Sequence, residues 1–215
     1  DLVISIFVDI ISLYYNSIDL KRIFDIVASG IGLILLSPLF VILAIWIKCD
    51  SIGPVFYKQV RVGRNNMDFQ LFKSRSMRVG SDKKGLITVG GHDPRITRSG
   101  YYIRKYKLDE FPQLINVFKG DMSLVGPRPE VRKYVDMYTG ERMHVLDGRP
   151  GITDLASIRY RNENELLERV NDPDKYYVEV IMPDKLRINL EYVARHSFTF
   201  DIRLIFQTFR AIVSE

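Results

Sequence analysis

Polar residues almost vanish between residues 23 and 47, and that stretch organises the reading of the whole chain. Asp19 offers a helix N-cap just ahead of it. The run is long enough to cross a bilayer, which takes about 20 apolar residues. Two features argue against a plain crossing. Ser37-Pro38 sits near the middle, where proline removes a helical hydrogen bond and bends the helix. Lys21 and Arg22 flank one end and Lys48 the other, so both ends carry the basic residues that favour the cytoplasmic side. A re-entrant helix, entering and leaving one leaflet, satisfies both features, with the Ser37 hydroxyl as a local partner for a carbonyl that Pro38 frees. A kinked spanning helix also tolerates proline, and these features alone leave the two balanced. Ahead of it, residues 1–18 form an apolar segment that contains Asp9 and is too short to span. An interfacial helix and the tail of an upstream module both fit that segment.

After residue 48 the pattern shortens. Residues 54–60 and 67–72 read as two strands, with Gly63-Arg64-Asn65-Asn66 as the turn between them. Residues 79–97 are rich in Gly, Asp and Lys and predict a surface loop. Residues 101–107 predict a short helix. Residues 109–119 predict a second, with Asp109 at its N-cap, Pro112 in its first turn and Gly120 as its stop. Val131, Tyr134, Val135 and Tyr138 follow helical spacing, and Arg149-Pro150-Gly151 then breaks the chain. Asn162 caps a charged helix running to residue 170. Residues 183–195 are helical, with Leu186, Leu190 and Val193 on one face. Residues 200–213 set Ile202, Leu204, Ile205, Phe209 and Ile212 against Arg203 and Arg210, an amphipathic helix. Packing on the core is the commoner fate of such a helix, and the head-group layer is the other. The expected architecture is mainly α with a small β-hairpin. An N-terminal apolar segment (1–18) leads into a re-entrant membrane helix (19–48) and a cytosolic domain (49–215) bordered by interfacial amphipathic helices.

Composition narrows the partners. The 215 residues suffice for one domain with a real core plus a membrane anchor. A net charge of +5 favours anionic partners without choosing among phospholipid, nucleotide and nucleic acid. A single cysteine excludes an internal disulfide and fits a reducing compartment. Three scattered histidines give no zinc spacing. No basic region precedes the first apolar stretch, which argues against a signal peptide. Asp1 in place of an initiator Met leads us to expect sequence upstream.

The chemistry concentrates in Leu108-Asp109-Glu110-Phe111-Pro112-Gln113-Leu114 and Gly126-Pro127-Arg128-Pro129. A carboxylate attacking phosphorus is already charged at neutral pH and needs no base to activate it. Repulsion from an anionic diphosphate is the obstacle, and arginines with a divalent metal remove it. Adjacent Asp109 and Glu110 can share a hard cation such as Mg²⁺. Simple helix capping explains most Asp-Glu pairs at a helix start. The neighbours shift the balance here: Arg104 lies upstream, Lys73 ends the second strand, and Arg128 is held between two prolines.

These stretches resemble the bacterial sugar transferase family, the monotopic phosphoglycosyltransferases that begin glycan assembly on a polyprenyl phosphate. The likeness runs from Lys21 to Gln207. It takes in Lys21-Arg22, Ser37-Pro38, Lys73-Ser74-Arg75-Ser76-Met77, Arg104, the Asp-Glu-x-Pro-Gln-Leu run, Lys119-Gly120-Asp121-Met122-Ser123, Gly-Pro-Arg-Pro, Arg149-Pro150-Gly151-Ile152-Thr153, Arg161 and Asp201. The resemblance implies transfer of a phosphosugar from a UDP-sugar to undecaprenyl phosphate with release of UMP. It implies Asp109 as the nucleophile, forming a phosphosugar-aspartyl intermediate, and Glu110 as a catalytic partner through the Mg²⁺ environment. Lys73, Arg104, Arg128 and Arg161 match basic substrate-binding positions. The Ser-Pro break implies the re-entrant helix, hence the cytoplasmic face of a bacterial inner membrane. Nucleic acid is not an implied partner, and oligomeric state stays open.

Three departures from the family pattern stand out. Asp154-Leu155-Ala156-Ser157-Ile158 replaces a Gly-Leu-Ala-Gln-Val pattern, Asn189 stands where an aspartate is often found, and residues 163–186 form a stretch longer than in the smallest members. They fall where sugar or nucleotide selectivity could be set. Two rivals carry less: an aspartyl-phosphate phosphatase lacks its Asp-x-Asp loop here, and a lipid-binding adaptor leaves the Asp-Glu pair unused.

Overall fold

The computed structural model describes residues 2–81 and 93–213. Most of the expected loop at 79–97, including Gly90-Gly91, lies outside the described residues.

A single helix, α1 (Leu2–Asp50), opens the chain. It runs through position 19, so Asp19 is interior to the helix and not its cap. Pro38 does not interrupt it. Proline at 38 leaves the carbonyl of Ile34 without its helical N–H, and the Ser37 hydroxyl donates to that oxygen at 2.8 Å. The local satisfaction expected from Ser37-Pro38 is therefore present.

Strands β1 (Phe56–Val62) and β2 (Asp68–Ser74) form an antiparallel hairpin, with Phe56 opposite Ser74 and Val62 opposite Asp68. Asn65 and Asn66 turn the chain at φ 54° and 60°, a region asparagine tolerates. Helices α2 (Arg98–Lys105) and α3 (Gln113–Lys119) follow. Strand β3 (Ser123–Val125) then pairs in parallel with β4 (Gly151–Thr153). Between them lies the short α4 (Arg132–Val135). After β4 come α5 (Leu155–Arg159), α6 (Glu163–Glu168), α7 (Pro173–Tyr176), a π-turn at Tyr177–Ile181, α8 (Met182–Arg195) and α9 (Phe198–Val213). The β3–β4 pair was not expected from sequence, because three residues per strand carry no period.

The largest core cluster joins α4 to α8, with Tyr134, Val135, Tyr138, Tyr177, Ile181 and Leu186 all buried. The helical face expected around Tyr134 is thus a core face. On α9, Leu204 is buried against Val125 and Tyr192, whereas Phe206 and Phe209 face outward.

Helix α1 is fastened to the domain at two places, around residues 21–25 and around residues 43–50. Lys21 donates to Val125 O (2.9 Å) and the Tyr192 hydroxyl (3.1 Å) and pairs with Asp201, which also accepts from Tyr192 at 2.7 Å. Arg22 donates to the carbonyls of Val117 (2.7 Å) and Phe118 (3.0 Å) in the last turn of α3. Asp25 accepts from the Leu124 amide at 3.0 Å. At the other end, Asp50 accepts from the Ser99 amide (2.9 Å) and hydroxyl (2.8 Å). Arg75 donates to the carbonyls of Ser51 (2.6 Å) and Ile47 (3.2 Å), and Leu43 and Ile47 are buried with Ile103. Between these anchors the outer face stays bare: Ile31, Ile34, Leu35, Ile42 and Ile45 are exposed, Ile34 to 74%.

Candidate active site

Asp109 is set by three local devices. Helix α2 ends in a Schellman pattern, with Leu108 N bonded to Ile103 O at 2.8 Å and Lys107 N to Arg104 O at 3.1 Å. Lys107 takes the left-handed position at φ 54°, usually given to glycine, which costs about 1 kcal/mol. Leu108 packs with Ile103 on Leu43 and Ile47 of α1. The next residue, Asp109, accepts the Ser74 amide on its backbone carbonyl at 2.9 Å, tying the turn to the end of β2 beside Lys73.

This corrects the expected N-cap. Helix α3 begins at Gln113 with Pro112 at its N-cap, and Asp109 lies in the preceding turn. The docking of Leu108 on α1 and the carbonyl bond to Ser74 fix residues 107–109 before a helical ladder can start. Asp109 is 6% exposed, and among the described residues its carboxylate accepts no hydrogen bond. Burial pushes its carboxyl above the usual carboxylate range. Lys73, Arg104 and Arg128 pull it down, and Glu110 pushes it up.

Glu110 is held differently. Arg128 grips it with both guanidinium nitrogens, Nη1 on Oε2 at 3.1 Å and Nη2 on Oε1. Lys73 stands 4.0 Å away. Burial raises the Glu110 carboxyl, but Arg128 and Lys73 outweigh it and hold it down to about 2. Burial lowers the Lys73 ammonium, and Glu110 and Asp109 counter this.

Arg128 is preorganised through its backbone. Its amide donates to Asp154 Oδ2 at 2.7 Å, while Asp154 Oδ1 caps α5 on the Ser157 amide. Asp154, noted above as a departure, is fully buried and joins the arginine to α5. Gly126 and Gly151 let the two backbones touch: a Cβ on Gly151 would sit 2.1 Å from Gly126 N.

The structure therefore brings together Asp109, Glu110, Lys73, Arg104 and Arg128. Arg161 is exposed in the turn between α5 and α6, and no described contact joins it to this group. Sequence reading missed Arg61. Its guanidinium donates to Pro129 O at 3.0 Å, lies 3.4 Å from Glu130 and acts on the charges of both Arg128 and Glu110. Its alternation along β1 on the face of Gln59 was the available signal. Asn189 is also placed here: it is 6% exposed, its Oδ1 has no described partner, and it lines a small cavity behind Arg128, Glu130 and Tyr177.

Among the described residues no cluster of three or more metal-ligating side chains exists. The Asp109–Glu110 pair offers hard oxygens in the number that Mg²⁺ takes from protein when substrate phosphates supply the rest.

The fold and this site define a domain that carries one long apolar helix and is built around an acidic pair in a basic pocket. Residues 15–215 match the family model described as bacterial sugar transferase, and the chain belongs to that family. It is 38% identical over 204 residues to the UDP-N-acetylgalactosamine-undecaprenyl-phosphate N-acetylgalactosaminephosphotransferase of Aeromonas hydrophila, covering 91% of this chain and 44% of the relative. It is 35% identical to the UDP-glucose:undecaprenyl-phosphate glucose-1-phosphate transferase of Escherichia coli K12, covering 91% and 41%. The exopolysaccharide production protein ExoY of Rhizobium meliloti is 32% identical, covering 89% and 84%. The chain thus spans less than half the length of the first two relatives.

Proposed function

We propose that this protein transfers a phosphosugar from a UDP-sugar to undecaprenyl phosphate at the cytoplasmic face of a bacterial inner membrane. The carrying observation is the contrast between neighbours: Glu110 is locked by Arg128, while Asp109 keeps a carboxylate free of hydrogen bonds among cations. In the first step an Asp109 oxygen bonds to the phosphorus that bears the sugar, and the bond from that phosphorus to the UMP oxygen breaks. UMP leaves with the electron pair. In the second step an oxygen of the lipid phosphate attacks the same phosphorus, and the Asp109–phosphorus bond breaks to restore the carboxylate. Lys73, Arg104 and Arg128 offset the charge of the diphosphate, and Arg161 contacts substrate outside the acidic pair. Bound at Asp109 and Glu110, Mg²⁺ would supply charge neutralisation for the diphosphate.

Membrane attachment follows the anchors on α1. Buried Ser29 and buried Leu43 leave only about 21 Å of helix between them, at 1.5 Å per residue. A hydrocarbon core is about 30 Å thick. A domain holding both points therefore keeps the two ends of that span on one side, which supports a monotopic attachment. Ile52, Tyr101, Tyr102, Phe206 and Phe209 are exposed as well, and aromatic and aliphatic residues of this kind suit an interfacial level.

The test is a single-turnover experiment without lipid acceptor. UMP release matched by an added phosphosugar mass on Asp109 is expected, and Asp109→Asn should lower turnover by at least about 10³-fold. Product accumulation by an Asp109→Asn protein at the normal rate overturns the assignment. EDTA should abolish turnover and added Mg²⁺ restore it. Undiminished activity after chelation removes the metal from the scheme.

A further inference from the structure

A second polar cavity, of about 140 Å³, opens beside the acidic pair and shares Arg128 with it. Its walls include Arg61, Glu130, Glu163, Asn164, Tyr177 and Lys185. The cavity has room for a polar ligand larger than one water, which needs about 10–15 Å³. The function proposed above uses none of these walls except Arg128.

The walls are rigid and mixed in charge. Glu130 accepts from the Tyr177 hydroxyl at 2.5 Å and lies 3.4 Å from Arg61 and 4.0 Å from Lys185. Lys185 donates to Glu163 at 3.0 Å. Tyr177 begins the π-turn, an irregularity frequent at functional sites, and it is buried. A phosphate would meet repulsion from the Glu130 and Glu163 carboxylates. A neutral ring bearing several hydroxyls matches them, because each hydroxyl donates to a carboxylate and accepts from an ammonium or guanidinium.

Reaction geometry selects which part of the donor belongs there. In-line displacement puts the leaving UMP opposite the attacking oxygen of Asp109. The sugar hangs from the same phosphorus as a lateral substituent, one oxygen away and clear of the line of attack. The cavity borders Arg128, which holds Glu110 next to Asp109.

We propose that this cavity receives the hexosyl ring of the donor, and that Glu163 and Asn164 of α6 set which sugar is accepted. The inference rests on the phosphosugar-transfer reading and adds the sugar subsite to it. Both residues sit in the long stretch at 163–186 that departs from the family pattern.

The test compares UDP-N-acetylgalactosamine and UDP-glucose as donors, with UMP as the sugar-free probe, on wild type, Glu163→Gln and Asn164→Ala in detergent or nanodiscs. The ratio of kcat/KM between the two donors should move by about tenfold or more in at least one variant. UMP affinity should stay within about twofold, since UMP lacks the ring. An unchanged ratio in both variants overturns the proposal. Equal weakening of UMP and both donors also overturns it, because that places the nucleoside in the cavity. If wild type turns over neither donor with undecaprenyl phosphate, the transfer reading fails separately. The titrations still decide the subsite: donors that bind wild type more tightly than UMP, with that margin lost in the variants, support it, and no margin overturns it.

Discussion

At the scale of single residues, two carboxylates one position apart are pushed in opposite directions by their surroundings. Glu110 is neutralised by a guanidinium fork and stays ionised to low pH. Asp109 pays for burial without a hydrogen bond in return. Arg128 governs both, so its fork geometry should matter beyond its charge. Arg128→Lys keeps the charge but cannot grip both oxygens of Glu110. Its kcat/KM should fall by about 10–100-fold, measured by UMP release, with the loss mostly in kcat. Arg161→Ala, exposed and apart from the pair, should raise KM while leaving the rate of the first step near normal. A first-step rate that falls as far as in Arg128→Lys would move Arg161 into the acidic pair's own surroundings.

At the scale of elements, the basic flank of the apolar helix serves tertiary structure. Lys21 and Arg22 reach into the domain, one into a buried pair with Asp201 and Tyr192, the other onto the last carbonyls of α3. Lys21→Met should leave Asp201 buried with only the Tyr192 hydroxyl beside it, a loss of about 3–5 kcal/mol. Thermal unfolding in detergent measures it, and a shift of less than a degree would show that the pair is dispensable. Asn116 makes a comparable joint: fully buried, it accepts from Phe72 N at 2.9 Å and donates to Gln70 O at 2.7 Å, holding α3 to β2. Asn116→Ala should cost about 2–3 kcal/mol by stranding those strand groups.

At the scale of the whole molecule, one domain grips an apolar helix at two points about 21 Å apart along its axis, which is the basis of the proposed monotopic attachment. Cys49, the single cysteine, is exposed near one end and can report on that geometry. A membrane-impermeant maleimide should leave Cys49 unlabelled in intact spheroplasts and label it after lysis. A Ser17→Cys probe in a Cys49→Ser background should behave the same way. Labelling of residue 17 from outside, with residue 49 still protected, would mean that the helix crosses and would overturn the monotopic reading.

Much of this was legible in the chain itself. Two strand-like runs around a Gly-Arg-Asn-Asn turn marked the β1–β2 hairpin within two residues, and helical spacing marked the buried face of Val131, Tyr134, Val135 and Tyr138, because burial imposes a period on an element that meets a core. The Ser37 hydroxyl was foreseen as a partner for a carbonyl freed by Pro38, because that chemistry spans three residues. The acidic pair and Arg128 stood out by residue type and stiff flanks. Tertiary structure alone decided the rest. It set Asp109 before the helix, because Leu108 docks on α1 and Ser74 binds the Asp109 carbonyl. It paired β3 with β4 across 28 positions, from Ser123 to Gly151, and turned Lys21 and Arg22 inward. It also gathered Arg61, Glu130, Tyr177 and Lys185 around one cavity. Those contacts join distant parts of the chain, and no local period or propensity encodes a distance in space.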